Sequence, residues 1–278
     1  MPELPEVETV KRSLAGPLTG ASITGVTVYF AGNIKEPDPE TFRRLLIGKE
    51  FLDIARRGKF LLFSLSGGYV LVVHLRMTGQ LFLAGSGEPV DKHTHIVFSL
   101  SGDRELRYAD QRKFGILELV HKEEVHRLKG LKELGLEPFS TDFTVDWLAA
   151  MLRDKKRPIK NLLLDQTVVA GIGNIYADEI LFEAGIHPEK PAGALTEREI
   201  AALWQAVPRM LELGIQHRGT SIRNYVDGAG QRGGFQNLLR VYGREGEPCC
   251  RCGAAITRIK VAGRGTYFCP QCQHREQQ

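Results

Sequence analysis

The sequence predicts an α+β protein with a leading helix and an N-terminal β-sandwich, then a helical domain, then a small hairpin module built around cysteines. Short β-branched runs separated by glycine-rich turns fill residues 21–120, a spacing typical of a sandwich or barrel. Helical periodicity replaces these runs after Gly130, and two cysteine pairs stand near the C-terminus. We therefore predict three domains, with boundaries at 1–134, 135–238 and 239–278.

The N-terminal domain is predicted to open with a helix over residues 6–14. Pro5 suits a first helical position, and Val7, Val10 and Leu14 fall on one helical face. Strands are predicted at Ile23–Tyr29, Phe60–Leu65, Tyr69–His74, His95–Leu100 and Gly115–Val120.

The helical domain is predicted to contain four helices, the last of which begins with a capping box formed by Thr196 and Glu199. The string Gly171-Ile172-Gly173 predicts a double turn, so that this part of the chain forms a helix, two turns and a helix. The segment 227–234 is glycine-rich and has no apolar anchor, which predicts a mobile loop. The helices are predicted at residues 144–153, 158–165, 174–184 and 196–214.

Cysteine spacing predicts a metal site. Two C-x₂-C pairs are separated by 16 residues, and their members are Cys249, Cys252, Cys269 and Cys272. Each pair can place two thiolates on a tight turn, and two such turns together make a tetrahedral Cys₄ zinc site. Two disulfides or chance spacing are the alternatives, and a chain without a secretion signal disfavours disulfides. We predict one structural zinc ion per chain in a β-hairpin zinc finger, with Cys250 outside it.

Charge is concentrated in one part of the chain. Residues 216–278 carry nine arginines and one lysine against four carboxylates, a net charge of +6, which leaves −2 for the rest of this +4 chain. A basic C-terminal region beside a zinc module predicts a nucleic-acid partner better than it predicts a merely solvated surface. The chain has neither an apolar run near the ~20 residues of a bilayer span nor a signal-peptide pattern. We expect a bacterial cytoplasmic, nucleoid-associated monomer with no membrane partner.

The double turn is also a candidate phosphate site. Glycines allow close backbone approach, and a helix that opens at Asn174 would present unpaired N–H groups to an anion. An ordinary core turn is the alternative, and the nearby basic cluster favours phosphate binding. That cluster consists of Lys155, Lys156, Arg157 and Lys160.

The first residues offer a nucleophile. If Met1 is removed, Pro2 becomes a secondary amine, and an α-amino group has a pKa near ~8 against ~10.4 for lysine. A neutral amine can attack the anomeric carbon of a sugar and form an iminium, with Glu3 or Glu6 moving protons. A frayed terminus is the alternative, and composition alone favours it.

Six strings occur in order along the chain: the opening MPELPEVETV, Gly58-Lys59-Phe60, His74-Leu75-Arg76-Met77, Asp110-Gln111-Arg112-Lys113-Phe114-Gly115, Gly171-Ile172-Gly173-Asn174-Ile175-Tyr176, and the cysteine module with Gly263-Arg264-Gly265-Thr266. Together they resemble the formamidopyrimidine-DNA glycosylase family, bacterial enzymes that repair 8-oxoguanine. The resemblance runs from the first residue nearly to the last. It implies a glycosylase for oxidised purines in duplex DNA that is also an abasic-site lyase.

The resemblance assigns roles to residues at the N-terminus. Pro2 matches the nucleophile, Glu3 the acid that protonates the deoxyribose ring oxygen, and Glu6 a supporting carboxylate. β-elimination and then δ-elimination would leave a one-nucleotide gap. Lys59 and Arg264 complete the implied catalytic set as phosphate ligands, although Lys59 by itself could equally be a solvated lysine at a strand end.

The resemblance also implies contacts to DNA. Met77, Arg112 and Phe114 match an intercalating triad that fills the hole left by an everted nucleotide. By residue type alone, Met77 and Phe114 are more often core residues and Arg112 an exposed ion-pair partner. Backbone contacts are implied for His74, Asn174 and Tyr242, with Lys156 and Lys160 as further candidates.

Residues 219–234 resemble a loop that closes over the everted base. Another family member carries an acidic residue at the position of Thr78 and threonine at the position of Asn224. The exact contacts to the damaged base are therefore not implied by the resemblance. The loop residues that would offer backbone amides and polar atoms are Thr220, Ile222, Arg223, Asn224 and Tyr225.

Two other functions fit parts of the sequence. An endonuclease VIII-type glycosylase would prefer oxidised pyrimidines, but Leu4, Arg112 and Phe114 favour the purine branch. A non-catalytic zinc protein that binds DNA damage would need the basic C-terminal region but not a free Pro2.

Overall fold

The computed structural model describes residues 1–222 and 224–274. Backbone packing divides the chain into two compact units. The first contains Met1–Lys132 and His217–Gly234, and the second contains Glu133–Gln216 and the chain from Phe235 onward. The helical and cysteine-containing segments share the second unit, and the division into three domains stays a prediction.

The first unit contains two β-sheets, a leading helix and a second helix. One sheet has the strand order β1-β7-β8-β6, and the other has the order β2-β9-β5-β4-β3. Neighbouring strands are antiparallel except β2 and β9, which are parallel. The elements are α1 (Leu4–Leu18), β1 (Ile23–Val28), β2 (Ile34–Glu36), α2 (Pro39–Leu46), β3 (Phe51–Arg57), β4 (Phe60–Leu65), β5 (Tyr69–His74), β6 (Gly79–Gly85), β7 (Thr94–Leu100), β8 (Arg104–Asp110), β9 (Ile116–His121) and α3 (Lys129–Lys132).

One hydrophobic core holds this unit together. Helix α1 buries Val7, Val10 and Leu14 in the same core that takes residues from both sheets. Phe51 and Phe63 meet edge to face with ring centroids 5.8 Å apart. Each such side chain, when fully buried, contributes about 1.5–3 kcal/mol, so this core fixes where α1 and the residues before it lie.

The second unit is helical and ends in a hairpin. Helix α6 begins after Gly173 and ends at Gly185, whose left-handed backbone (φ +71°) lets its N–H reach two carbonyls of the last turn. Strands β10 and β11 pair in antiparallel register, from Thr257 opposite Phe268 to Val261 opposite Arg264. The elements are α4 (Val145–Leu152), α5 (Ile159–Leu164), α6 (Asn174–Ala184), α7 (Glu197–Gln216), β10 (Thr257–Val261) and β11 (Arg264–Phe268).

The predicted α+β class is confirmed, with N-terminal sheets, a helix–double-turn–helix region and a C-terminal hairpin. Every predicted helix and strand is present within a few residues of its predicted position. Six of the named elements were not predicted from the sequence: β2, β3, β6, β8, α2 and α3.

Candidate active site and nucleic-acid interface

The N-terminal candidates lie together at the start of α1. Pro2 is buried, and the side chains of Glu3 and Glu6 are each only 2% exposed. Glu3 caps the helix in a reciprocal box: its carboxylate accepts from the backbone of Glu6, and Glu6 Oε2 accepts from Glu3 N at 2.7 Å. The two carboxylates therefore order the residues beside Pro2, and the terminus is not frayed.

Glu6 also holds the candidate lesion loop. Its second oxygen, Oε1, accepts from Thr220 N at 2.7 Å, and Tyr225 Oη donates to the Glu6 carbonyl at 3.2 Å. A Cβ on Gly219 would lie 2.9 Å from Glu6 Oε1, and the φ of Gly219 is +77°, so this approach requires glycine. One carboxylate thus joins the start of α1 to the loop.

The rest of the candidate loop is anchored as well. Asp227 is buried, and its Oδ1 accepts from Ala229 N and Gln231 N, each at 2.9 Å. Gly228 N donates to Ser13 Oγ at 2.8 Å on α1. The segment 227–234 is therefore held by polar contacts, one of them to α1, and its predicted mobility stays a prediction.

The exposed part of the loop lies around Ile222, which is 48% exposed, and Asn224, whose Nδ2 donates to Gln111 Oε1 at 3.0 Å. Thr220 is buried, at 4% exposure. Arg223, also predicted to face the lesion, lies outside the described residues.

Lys59 and His74 lie at the adjoining ends of β4 and β5, and both are buried. Burial, together with the charges of Arg76 and Lys59, lowers the pKa of His74 to about 3. The ring is therefore neutral. Because His74 Nδ1 accepts from Arg76 N at 3.0 Å, the ring proton resides on Nε2. His74 can therefore donate one hydrogen bond to an acceptor such as a phosphate oxygen.

The structure brings the three candidate wedge residues together. Met77 and Phe114 are 40% and 53% exposed, so neither is a core residue. Arg112 connects them: its Nη1 lies 3.0 Å from Met77 Sδ, and its guanidinium lies 4.7 Å from the centroid of the Phe114 ring. An exposed apolar pair held by an arginine is suited to insertion between bases.

Asp110 lies beside the candidate wedge residues, and the sequence pattern alone assigns it no role. It is 1% exposed and accepts hydrogen bonds that order the turn carrying Arg112 and Phe114. A carboxylate two residues before the exposed Arg-Lys-Phe string was the available signal.

In the second unit, Lys160 is fully buried. Its Nζ lies 2.6 Å from Asp178 Oδ1 and donates to Thr266 Oγ1 at 2.7 Å. Asp178 Oδ2 accepts from Tyr267 N at 3.0 Å, and burial raises the pKa of Asp178 to about 7 although the Lys160 charge lowers it. Lys160 therefore holds the hairpin, and this geometry does not support it as a phosphate contact.

The other candidates of this unit surround the same hairpin. Asn174 opens α6 and donates from Nδ2 to Gly265 O at 2.9 Å. Arg264 is exposed at the start of β11, next to the turn at Ala262 and Gly263. The Tyr242 ring packs against Tyr267, with centroids 5.2 Å apart. Lys156 is exposed and follows α4.

The four paired cysteines form a metal site. Their sulfur atoms all lie within 4.8 Å of one another, with Sγ separations of 3.9 Å for Cys249–Cys272 and 3.4 Å for Cys252–Cys269. A tetrahedral zinc ion with Zn–S bonds of ~2.3 Å sets its ligands ~3.8 Å apart, so the arrangement fits zinc. Arg251 N and Cys272 N point at sulfur atoms, each at 3.4 Å, which is typical of thiolate ligands. Four thiolates leave no position for water, so the ion is structural, and Cys250 is exposed outside the group.

Family models match almost the whole chain. Residues 1–117 match the formamidopyrimidine-DNA glycosylase N-terminal domain, residues 134–226 its H2TH domain, and residues 246–275 the zinc finger found in FPG and IleRS. The chain belongs to the formamidopyrimidine-DNA glycosylase family. The family resemblance and the zinc finger predicted from sequence are thereby confirmed.

Individual relatives agree with this family over their full length. The formamidopyrimidine-DNA glycosylase of Pelotomaculum thermopropionicum is 50% identical over 98% of this chain and 99% of its own. The Lactococcus lactis Fpg bound to abasic-site DNA is 43% identical, with a TM-score of 0.93 over 98% of this chain and 100% of its own. The same enzyme with DNA containing N7-benzyl-Fapy-dG gives the same identity and TM-score, over 99% and 100%.

Within residues 1–222 and 224–274, no helix has the length and hydropathy needed to cross a bilayer.

Proposed function

We propose that this chain excises oxidised purines, 8-oxoguanine and formamidopyrimidines, from duplex DNA and then cleaves the strand at the abasic site. One observation carries the proposal: Glu3 and Glu6 are buried beside Pro2, and Glu6 is bonded to the loop at Thr220. Family membership supports it, as do the abasic-site and modified Fapy-dG DNAs bound by the Lactococcus lactis relative.

The first chemical step needs the Pro2 nitrogen to be free of Met1. The neutral amine attacks C1′ of the damaged nucleotide, the N–C1′ bond forms, and the base departs with the electrons of its glycosidic bond and with the proton that the Pro2 nitrogen gives up. Glu3 then gives a proton to the ring oxygen as the C1′–O4′ bond opens, which leaves an iminium between Pro2 and the sugar. Glu6 positions both Glu3 and the loop at Thr220, because its two oxygens accept hydrogen bonds from Glu3 N and Thr220 N.

Strand cleavage follows from the iminium. It withdraws electrons from C2′, so that a C2′ proton is lost and the 3′ phosphate leaves in β-elimination. A second elimination from the conjugated product expels the 5′ phosphate. Neither step consumes water, and hydrolysis of the remaining iminium frees Pro2.

The target sugar is inaccessible in stacked DNA, so the nucleotide must be everted. We assign Met77 and Phe114 to the vacated space, with Arg112 donating to the cytosine that has lost its partner. Their exposure and mutual contact support this role. Over the everted base we place the loop residues Thr220, Ile222, Arg223, Asn224 and Tyr225.

Phosphate contacts are proposed for both units. Lys59 and His74 act in the first unit, His74 as a neutral donor. These contacts fix the register of the DNA without reading sequence. In the second unit the proposed ligands are Lys156, Asn174, Tyr242 and Arg264.

Borohydride trapping tests the mechanism. With 8-oxoguanine duplex DNA, the parent chain should become covalently linked through Pro2, and Pro2→Gly should lose excision by several orders of magnitude. A non-catalytic damage-binding protein would bind the DNA without any adduct. A Pro2→Gly variant that cuts as fast as the parent contradicts the mechanism.

A substrate panel separates the purine branch from the endonuclease VIII type. The parent should excise 8-oxoguanine and formamidopyrimidines faster than oxidised pyrimidines in matched duplexes. The reverse order would favour the pyrimidine branch. The named relatives are bacterial, and we place the enzyme with the chromosome in the bacterial cytoplasm as a monomer.

A further inference from the structure

The wedge side chains are carried by two turns that leave one sheet at the same place. Strand β6 begins at Gly79, strand β8 ends at Asp110, and these two residues are paired across the strands. The turn before Gly79 is closed by its N–H, which donates to Leu75 O at 3.0 Å. A Cβ on Gly79 would lie 2.4 Å from that oxygen, so this turn needs glycine. Met77 therefore stands on one short, closed turn.

Asp110 organises the second turn, which carries Arg112 and Phe114. Its Oδ1 accepts from Arg112 N at 3.2 Å, and its Oδ2 accepts from Gly115 N at 2.8 Å. Tyr108 Oη also donates to Oδ2, at 3.1 Å. One buried carboxylate therefore binds backbone N–H groups at both ends of the turn.

Thr78 links the two turns. Its hydroxyl donates to Asp110 Oδ1 at 2.5 Å and accepts from Arg112 N at 3.0 Å. Thr78 directly follows Met77, and Arg112 is the residue whose guanidinium reaches the Met77 sulfur. The Thr78 hydroxyl thus links the turn that carries Met77 directly to the turn that carries Arg112.

We propose that Thr78 and Asp110 are positioning residues of the wedge, which lock Met77, Arg112 and Phe114 into one rigid unit before DNA is bound. The proposal rests on the wedge role in the proposed function. A second contact supports a preformed turn: Lys113, with φ +61°, places its ammonium 4.3 Å from the Phe30 ring centroid. Preformed geometry speeds insertion because little side-chain conformational freedom remains to be lost during the step.

The test compares two variants that differ by the hydroxyl. Thr78→Val removes it at nearly constant volume, and Thr78→Ser keeps it. Thr94→Val is the matched control, because the Thr94 hydroxyl is buried on β7 with no hydrogen-bond partner among the described residues. Eversion is followed by stopped-flow fluorescence of 2-aminopurine placed beside an 8-oxoguanine in duplex DNA. Chemistry without eversion is followed as cleavage of a single-stranded abasic oligonucleotide.

Thr78→Val should slow both the fluorescence change and duplex excision roughly tenfold, as expected for the loss of one charge-assisted hydrogen bond. It should leave cleavage of the single strand within about twofold of the parent, and Thr78→Ser and Thr94→Val should match the parent in every assay. If Thr78→Val everts the nucleotide as fast as the parent does, the proposal is overturned. An equal loss on single-stranded DNA also overturns it, since the defect would then lie outside the wedge. Failure of the proposed function itself would be visible in the parent, as absence of excision and of borohydride trapping.

Discussion

His74 is a buried histidine whose neutrality affects the stability of the fold as well as its proposed phosphate contact. Its folded-state pKa is lowered to about 3, whereas an unfolded histidine titrates near 6.5. As pH falls below 6.5, the unfolded chain gains a proton that the folded chain does not, so stability is lost toward low pH. Between pH 7 and pH 5, His74 should therefore remove about 2 kcal/mol from the free energy of unfolding.

Urea unfolding of the parent and of His74→Gln at pH 7 and pH 5 measures this contribution. The parent should lose about 2 kcal/mol more than the variant between the two pH values. His126→Gln, a change at an exposed histidine, is the matched control and should behave like the parent. If His74→Gln loses as much stability as the parent, His74 is not held neutral by its surroundings.

Residue type alone misplaces several of the candidate functional side chains. Met77 and Phe114 belong to types that are usually buried, yet both are exposed, because the turns that carry them lie beyond the ends of their strands. Lys160 belongs to a type that is usually solvated, yet it is fully buried because Asp178 compensates its charge. In each case the exposure depends on residues that are distant in sequence, so residue type alone predicts the wrong exposure. For Met77 and Phe114, only the family resemblance indicates an exposed position.

At the scale of elements, two strands whose ends were predicted correctly have buried side chains on both faces. Phe60–Leu65 and Tyr69–His74 have the predicted ends because they lie inside a sheet. Strand β8 was missed because charged residues interrupt it. Its Arg107 is nevertheless only 3% exposed, since the guanidinium donates to the carbonyls of Pro89 and Glu88. The carbonyls that accept from Arg107 belong to a separate loop, so the residue pattern of β8 itself does not reveal that Arg107 is buried.

The buried pair Lys160–Asp178 connects the helices of the second unit to strand β11. Replacing Lys160 with Met leaves the Asp178 carboxylate buried without its partner, which should cost about 3–5 kcal/mol of unfolding free energy. The double variant Lys160→Met/Asp178→Leu should recover most of that loss, because neither charge remains to be desolvated. Thermal and urea unfolding of the three variant chains, including Asp178→Leu alone, measures the coupling. Additive losses in the double variant would show that the two side chains do not act as a pair.

For the whole molecule, the order of motifs along the chain was more informative than any single motif. The cysteine spacing was sufficient to predict the zinc site, because four thiolates at that spacing have few other uses. Pro2, by contrast, looks like an ordinary terminus until Glu3 and Glu6 are known to be buried around the start of α1. The spacing of the wedge turns could not be predicted, since it depends on the pairing of Gly79 with Asp110 across two strands.

Zinc removal should affect DNA binding and leave the amine chemistry intact. Without the ion, the two cysteine turns beside β10 and β11 are no longer held together, so Arg264 loses its fixed position. DNA affinity should then fall, and the slope of log K against log salt should become shallower by about 0.9 for the lost phosphate contact. Fluorescence anisotropy with lesion-containing duplex at several KCl concentrations, before and after chelation, gives both quantities.

Arg264→Gln with zinc present is the matched variant and should show the same change in slope. Because Pro2 is not a zinc ligand, cleavage of a single-stranded abasic oligonucleotide should persist after chelation. Loss of that cleavage together with an unchanged salt slope would mean that the ion serves the chemistry and not the phosphate contact.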